Sequence, residues 1–353
     1  MCGGGGGEDV AQGARFSGAV AAPVDRVDAC GRRNLRQRFL PLSTRGRLVD
    51  CNRRMASDIP NRTEFELDDL TVAALTWGDP SAPLALCLHG YPDTAWTWRH
   101  LGPVLAEHGY YVVAPFSRGY APTSVPADGD LTVGARIADA LAIAERVGAP
   151  RSVIVGHDWG AFTAHGAAAL PDSPFDAHVA LAIPPLASIR ITRQEFARQV
   201  WTAVAQTRNS WYIVVNQLPR LPERVFASMT GLLWREWAPG YDAAVDLAHL
   251  AEAAPPRNRA AIVGYYRQMV RPRPGSALTR ELTKLFMAPP IHPVQVLYGS
   301  DDHAMRAQFF AGLDDGRLPE GSRVERLEGL GHFLHLERPE QVNALIVDHL
   351  GPA

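Results

Sequence analysis

Hydrophobic positions follow two regimes along this chain, and the change falls near residue 60. From residue 63 to 78 apolar and polar side chains alternate with a period of two around Asp68-Asp69, which predicts a hairpin turning at the two aspartates. Short, almost uninterrupted apolar runs then follow at residues 84–88, 111–116, 152–155, 178–183, 294–298 and 324–327. Runs of that length suit strands buried on both faces. Helix-like stretches separate several of them, at residues 98–108, 131–147 and 159–170, and a last helix is predicted over 339–350. Apolar strands alternating with helices predict an α/β fold class: a mostly parallel central sheet flanked by helices.

The alternation breaks between about residues 184 and 290. That stretch carries helical patterns and many aromatics, among them Trp201, Trp211, Tyr212, Trp234, Trp237, Tyr265 and Tyr266, and no clear strand. It predicts a helical cap inserted between two strands of the sheet. The expected organisation is a core of residues 61–184 and 290–353 with a cap, or lid, over 185–289. Such a lid would cover the carboxyl edge of the sheet, where open α/β sheets bind ligands. Residues 1–60 show no sustained period. They carry a glycine tract from Gly3 to Gly7 and arginine pairs at Arg32-Arg33 and Arg53-Arg54. We expect a disordered N-terminal extension there, or a natural start at Met55.

Composition narrows the classes. Hydrophobic residues make up 46% of the 353, so a large core is available and global disorder is excluded. Lys+Arg 35 against Asp+Glu 37 leaves a formal charge of -2, which gives no electrostatic case for a nucleic-acid partner. Cys2, Cys30, Cys51 and Cys87 form no CxxC pair, which fits a reducing, cytoplasmic setting. No apolar run approaches the length of a membrane span.

The chemistry concentrates in four short segments. Val153 to Gly160 reads strand, Gly156, His157, Asp158, Trp159, Gly160, then helix. This is the spacing of a nucleophile elbow, G-x-S-x-G, with Asp158 where serine usually stands. The turn requires small residues at Gly156 and Gly160, and the helix start favours negative charge. His89-Gly90-Tyr91-Pro92-Asp93 follows the run at 84–88 and suits an oxyanion loop, with the backbone N–H groups of Tyr91 and Trp159 as candidate donors. Tyr298-Gly299-Ser300-Asp301-Asp302 ends another run; Asp302, with Asp301 as runner-up, suits an acid that orients a histidine. Gly331-His332-Phe333 follows the last run and supplies the candidate base, His332. The order nucleophile, acid, histidine fits the elbow. His335 and His157 are expected to be structural.

Together, His89-Gly90-Tyr91-Pro92-Asp93, Gly156-His157-Asp158-Trp159-Gly160 and Gly331-His332-Phe333 resemble the epoxide hydrolase branch of the α/β-hydrolase superfamily, over roughly residues 63–350. The resemblance implies the α/β-hydrolase fold, an Asp158-His332-Asp302 triad and a small hydrophobic epoxide as substrate. It also implies two lid tyrosines as acids. Tyr266, in Tyr265-Tyr266-Arg267, resembles one, and Tyr212, ahead of Gln217-Leu218-Pro219, resembles the other, with Tyr265 as the fallback for Tyr266. One departure stands out: Phe116-Ser117-Arg118-Gly119-Tyr120-Ala121 has Phe116 and Ala121 where the family usually carries Asp and Gly.

An aspartate nucleophile changes the reaction. A serine that opened an epoxide would form a stable ether, whereas a carboxylate forms an ester that water can cleave at the Asp158 carbonyl. His332, oriented by Asp302, would activate that water. A haloalkane dehalogenase would use the same nucleophile. In that family the His-Gly-x-Pro turn often places Asn where this chain has Tyr91. Fluoroacetate dehalogenases resemble the branch too, but place Arg where this chain has Trp159 and Ala121. A third reading is a ligand-binding protein without turnover. No metal-ligand spacing or phosphate-cradling glycine loop appears, so no cofactor is expected.

Overall fold

A computed structural model of the chain describes residues 59–189, 196–313 and 315–353. The expectation for residues 1–60 lies almost wholly outside the described residues. Eight strands form one sheet: β1 (Asn61–Glu66), β2 (Thr71–Trp77), β3 (Leu84–Leu88), β4 (Tyr111–Pro115), β5 (Ser152–His157), β6 (Ala177–Leu181), β7 (Val294–Gly299) and β8 (Arg323–Leu327). Their order is β1-β2-β4-β3-β5-β6-β7-β8. The β1–β2 and β2–β4 pairs are antiparallel and every other pair is parallel.

The helices are α1 (Leu101–Glu107), α2 (Val133–Val147), α3 (Trp159–Ala168), α4 (Phe196–Asn209), α5 (Trp211–Gln217), α6 (Leu221–Arg224), α7 (Phe226–Trp237), α8 (Ala244–Ala253), α9 (Arg259–Val270), α10 (Ala277–Lys284), α11 (Leu334–Glu337) and α12 (Pro339–Leu350). The stretch predicted as one helix over 98–108 is instead a 3-10 turn, Ala95–Arg99, followed by α1. Helix α2 starts where Thr132 accepts the Ala135 N–H and ends at Gly148 in the left-handed region, a cap at each end.

The period-two pattern explains the two faces of the sheet. Ala85, Cys87, Val153 and Val155 pack into one apolar layer, while Leu84, Leu86, Leu88 and Ile154 pack into another. Both faces are therefore dry, which is why the runs read as continuous. Between β6 and β7 the described residues form helices and no strand. No helix among the described residues is long and apolar enough to cross a membrane.

The topology positions the chemistry. From β3 the chain steps outward to β4, then returns to the other side of β3 as β5. The reversal leaves a crevice beyond the carboxyl ends of β3 and β5, the usual ligand position in an open α/β sheet. Leu88 pairs with Gly156 there, so the two following loops start side by side.

Candidate active site

Asp158 sits between β5 and α3 with φ 52 and ψ -114, a backbone conformation rare outside glycine. The strain is held by packing too close for side chains. A Cβ at Gly156 would lie 2.1 Å from the Gly160 carbonyl oxygen, and one at Gly160 would lie 2.0 Å from that of Leu88. The glycines thus let three backbone segments meet and push the Asp158 side chain out over the sheet. The Tyr91 N–H donates to Asp158 Oδ1 at 2.7 Å. Trp159 opens α3, where a backbone N–H has no earlier turn to pair with.

The other loops converge on the same carboxylate. His332 Nε2 lies 3.6 Å from Asp158 Oδ2, and its Nδ1 lies 2.9 Å from Asp302 Oδ2. Asp302 is fixed in turn: its Oδ1 accepts the N–H groups of Ala304 and Met305 at 2.6 and 2.9 Å. The acid therefore caps the next turn and orients the imidazole at once. Asp301, the runner-up, instead accepts from the Ser300 hydroxyl. Burial would lower the His332 value, but the Asp302 charge and the Asp158 carboxylate outweigh it and lift it to about 10. Burial would likewise raise Asp158, yet the facing imidazole of His332, His157 and the Tyr91 N–H together hold it below the ordinary carboxylate value.

Tyr212 on α5 and Tyr266 on α9 form the roof. Their rings meet edge to face at 5.4 Å, and Tyr266 also stands edge to face on Trp159 at 5.2 Å. Both are buried, and the Tyr266 hydroxyl has no protein partner. Burial, with the nearby Asp158 charge, raises both phenols well above their ordinary value, so each keeps its proton at neutral pH. Tyr265, the fallback, points elsewhere: its hydroxyl donates to the Arg118 carbonyl, under the Phe116 loop.

Several contributors escaped sequence reasoning. The His157 Nε2–H donates to the His332 carbonyl at 3.0 Å, and the His332 N–H donates to the Trp237 carbonyl at 2.8 Å. His157 and the C-terminal end of α7 thus hold the base loop from two sides. His89 accepts the Ser117 N–H on Nε2 at 3.0 Å, which leaves Nδ1–H to donate to the Gly90 carbonyl at 2.9 Å. Burial, the largest influence, drives this imidazole down to about 3, so it stays neutral. Arg136 donates to the His89 carbonyl at 3.0 Å. These bonds stiffen the loop that carries Tyr91 and stitch it to the divergent Phe116 segment. The only sequence signal was the buried polar character of histidines within apolar runs.

Among the described residues, Asp93, His157 and His335 form the one cluster with metal-ligand character, their ligand atoms lying within 4.8 Å of one another. Burial drives His157 down to about 3 and His335 well below its usual value, while burial and the Asp246 charge push Asp93 up to about 7. Both imidazoles therefore stay neutral near pH 7.

Comparison with known proteins identifies the family of the chain. Residues 83–339 match the family model of the alpha/beta hydrolase fold. The chain is 29% identical to epoxide hydrolase A of Mycobacterium tuberculosis over 329 residues, covering 82% of this chain and 97% of that protein. It is 26% identical to epoxide hydrolase 3 of Mus musculus, covering 78% and 73% of the two chains. The crystal structure of epoxide hydrolase A from Mycobacterium thermoresistibile superposes with a TM-score of 0.62 at 25% identity, covering 82% of this chain and 98% of that one.

Proposed function

This chain belongs to the alpha/beta hydrolase fold family, and from that premise we propose that it is an epoxide hydrolase that works through an ester on Asp158. The proteins it resembles along most of their length carry that name. Asp158 attacks an epoxide carbon and the ring C–O bond breaks. The alkoxide takes a proton from Tyr212 or Tyr266. Water, deprotonated by His332 with Asp302 behind it, then adds to the ester carbonyl. The oxyanion on the Asp158 side chain is held by the N–H groups of Tyr91 and Trp159. The ester C–O bond breaks, the departing alkoxide takes the proton from the new Asp158 carboxyl group, and a diol leaves with Asp158 restored as the carboxylate. The tyrosine regains its proton from solvent or from His332. Donors of this type are typically worth roughly 3 kcal/mol each.

The observation that carries this reading over a dehalogenase is the pair of protonated phenols above the carboxylate. A departing halide needs N–H donors and no acid, whereas an alkoxide needs a proton. Residues 185–289 act as the lid that brings these phenols in. The cysteine spacing, with no CxxC pair in the sequence, supports a cytoplasmic setting.

A paired assay tests the proposal. Epoxide and haloalkane panels are offered to the native protein and to the double variant Tyr212→Phe, Tyr266→Phe, scoring diol and halide. We expect diol from the native protein and a loss of roughly 100-fold or more in the variant. Halide release as the main activity, or equal losses on both panels, would refute the acid role.

A further inference from the structure

Beside the two acids lies a second polar pair that the reaction does not use. Asn216 falls one turn after Tyr212 on α5, so both side chains leave the same helix face. It is fully buried, and neither its Oδ1 nor its Nδ2 has a protein partner apart from the Tyr91 phenol. The Tyr91 hydroxyl, also fully buried, has no partner apart from this amide. The two lie within reach of a weak mutual hydrogen bond, while burial, the larger influence, raises the phenol and keeps it protonated.

The surroundings set this pair beside the two lid phenols and Asp158. The Tyr91 ring stacks along Tyr212 at 6.4 Å and meets Tyr266 edge to face at 5.0 Å, and its own N–H holds Asp158. Phe226 closes the far side at 6.3 Å. The amide is not needed to anchor its helix. Arg267 Nε donates to the Asn216 carbonyl at 3.0 Å, and Gln217 Nε2 donates to the Tyr266 carbonyl at 2.8 Å, so backbone and neighbours already fasten α5 to α9. Buried donors and acceptors left without partners are costly, and a core position needing only bulk would be filled by leucine or phenylalanine.

We propose that the Asn216 amide and the Tyr91 hydroxyl form a polar subsite for an uncharged oxygen function, a hydroxyl or carbonyl, carried by the substrate away from its epoxide ring. The inference rests on the epoxide reading. An ionised group is disfavoured, because the subsite is dry and offers no fixed charge of its own. The amide presents both a donor and an acceptor, and the phenol adds one of each. A substrate with a hydrocarbon chain of the same length leaves the two groups only each other, and their remaining donors and acceptors unpaired.

The test compares two terminal epoxides of equal length, one all-hydrocarbon and one with a ketone in the chain. In the native protein kcat/KM favours the keto-epoxide by roughly 10- to 100-fold. In the double variant Tyr91→Phe, Asn216→Leu that ratio falls toward one. Tyr91→Phe alone removes a single oxygen atom and lowers the ratio part-way, which keeps the test valid if the double variant folds poorly. A native ratio near one, or variants that lose both substrates alike, would overturn the subsite. A second arm measures Kd for an inert ketone and alkane of matched length from quenching of tryptophan fluorescence. A preference for the ketone that vanishes in the variants supports the subsite even if no diol forms; that outcome counts against the epoxide reading alone. Equal affinities overturn the subsite whatever the turnover.

Discussion

Esterification of Asp158 should change the character of His332, and the size of the change follows from the geometry. In the free protein His332 faces two carboxylates, and its value stands at about 10. It is then an imidazolium at neutral pH and cannot accept a proton from water. Forming the ester deletes the Asp158 charge, 3.6 Å from Nε2. At an effective dielectric of about 20, two unit charges at that spacing attract by about 5 kcal/mol. Losing that attraction lowers the value by about 3, since each step of one costs roughly 1.4 kcal/mol. His332 in the ester therefore titrates well below its value in the free protein, back toward the ordinary imidazole range. The Asp302 contact remains and stops it falling further. The base is switched on by the first half of the reaction. Stopped-flow tryptophan fluorescence, with Trp159 next to the nucleophile, resolves the two steps. The hydrolytic rate should rise with pH and level off above a midpoint about 3 below that of the free protein, whose imidazole is followed by NMR. Ester formation needs an ionised Asp158, which is held below its ordinary value, and protonated phenols, which stay so in acid, so that step should persist into the acid range. A hydrolytic midpoint near the free-protein value, or hydrolysis indifferent to pH, would refute the reasoning.

Three further outcomes are expected. Gly90→Ala places a Cβ 2.3 Å from Asp158 Oδ1, so ester formation measured by intact mass should slow by roughly 100-fold or more as the oxyanion loop or the nucleophile is displaced. Asp302→Asn keeps an oxygen for the Ala304 and Met305 N–H groups but no longer fixes the imidazole tautomer; kcat should drop by roughly 10³–10⁴-fold with the covalent adduct accumulating, and unchanged turnover would contradict the assignment. Asp246→Ala removes the buried carboxylate that takes Arg99 at 2.6 Å and the Tyr241 hydroxyl at 2.8 Å, and urea unfolding should show a loss of about 3 kcal/mol.

Much of the site was legible because its signals are local. The tight elbow forces glycine at fixed offsets around Asp158, and the loops after β3, β7 and β8 each announce themselves by an apolar run ending in small and polar residues. Chain order then paired them. The roof was less legible. Tyr212 and Tyr266 stood out through resemblance, since helix periodicity alone cannot separate a lid-packing tyrosine from a proton donor. Helix boundaries near 95–107 were misjudged, because a 3-10 turn and an α-helix bury similar apolar positions at the same spacing.

By itself, then, the sequence determined the parallel sheet, the inserted helices and which carboxylate stands on the tight strand-to-helix turn, because hydrophobic period and turn sterics act over a few residues. The tertiary structure alone decided that His157 braces the base loop, that Tyr265 serves the Phe116 segment, and that Asn216 comes to lie beside Tyr91. Those pairings join residues more than a hundred positions apart. No local pattern encodes such a meeting, which exists only once the loops beyond the sheet and the helices above it close around one buried space.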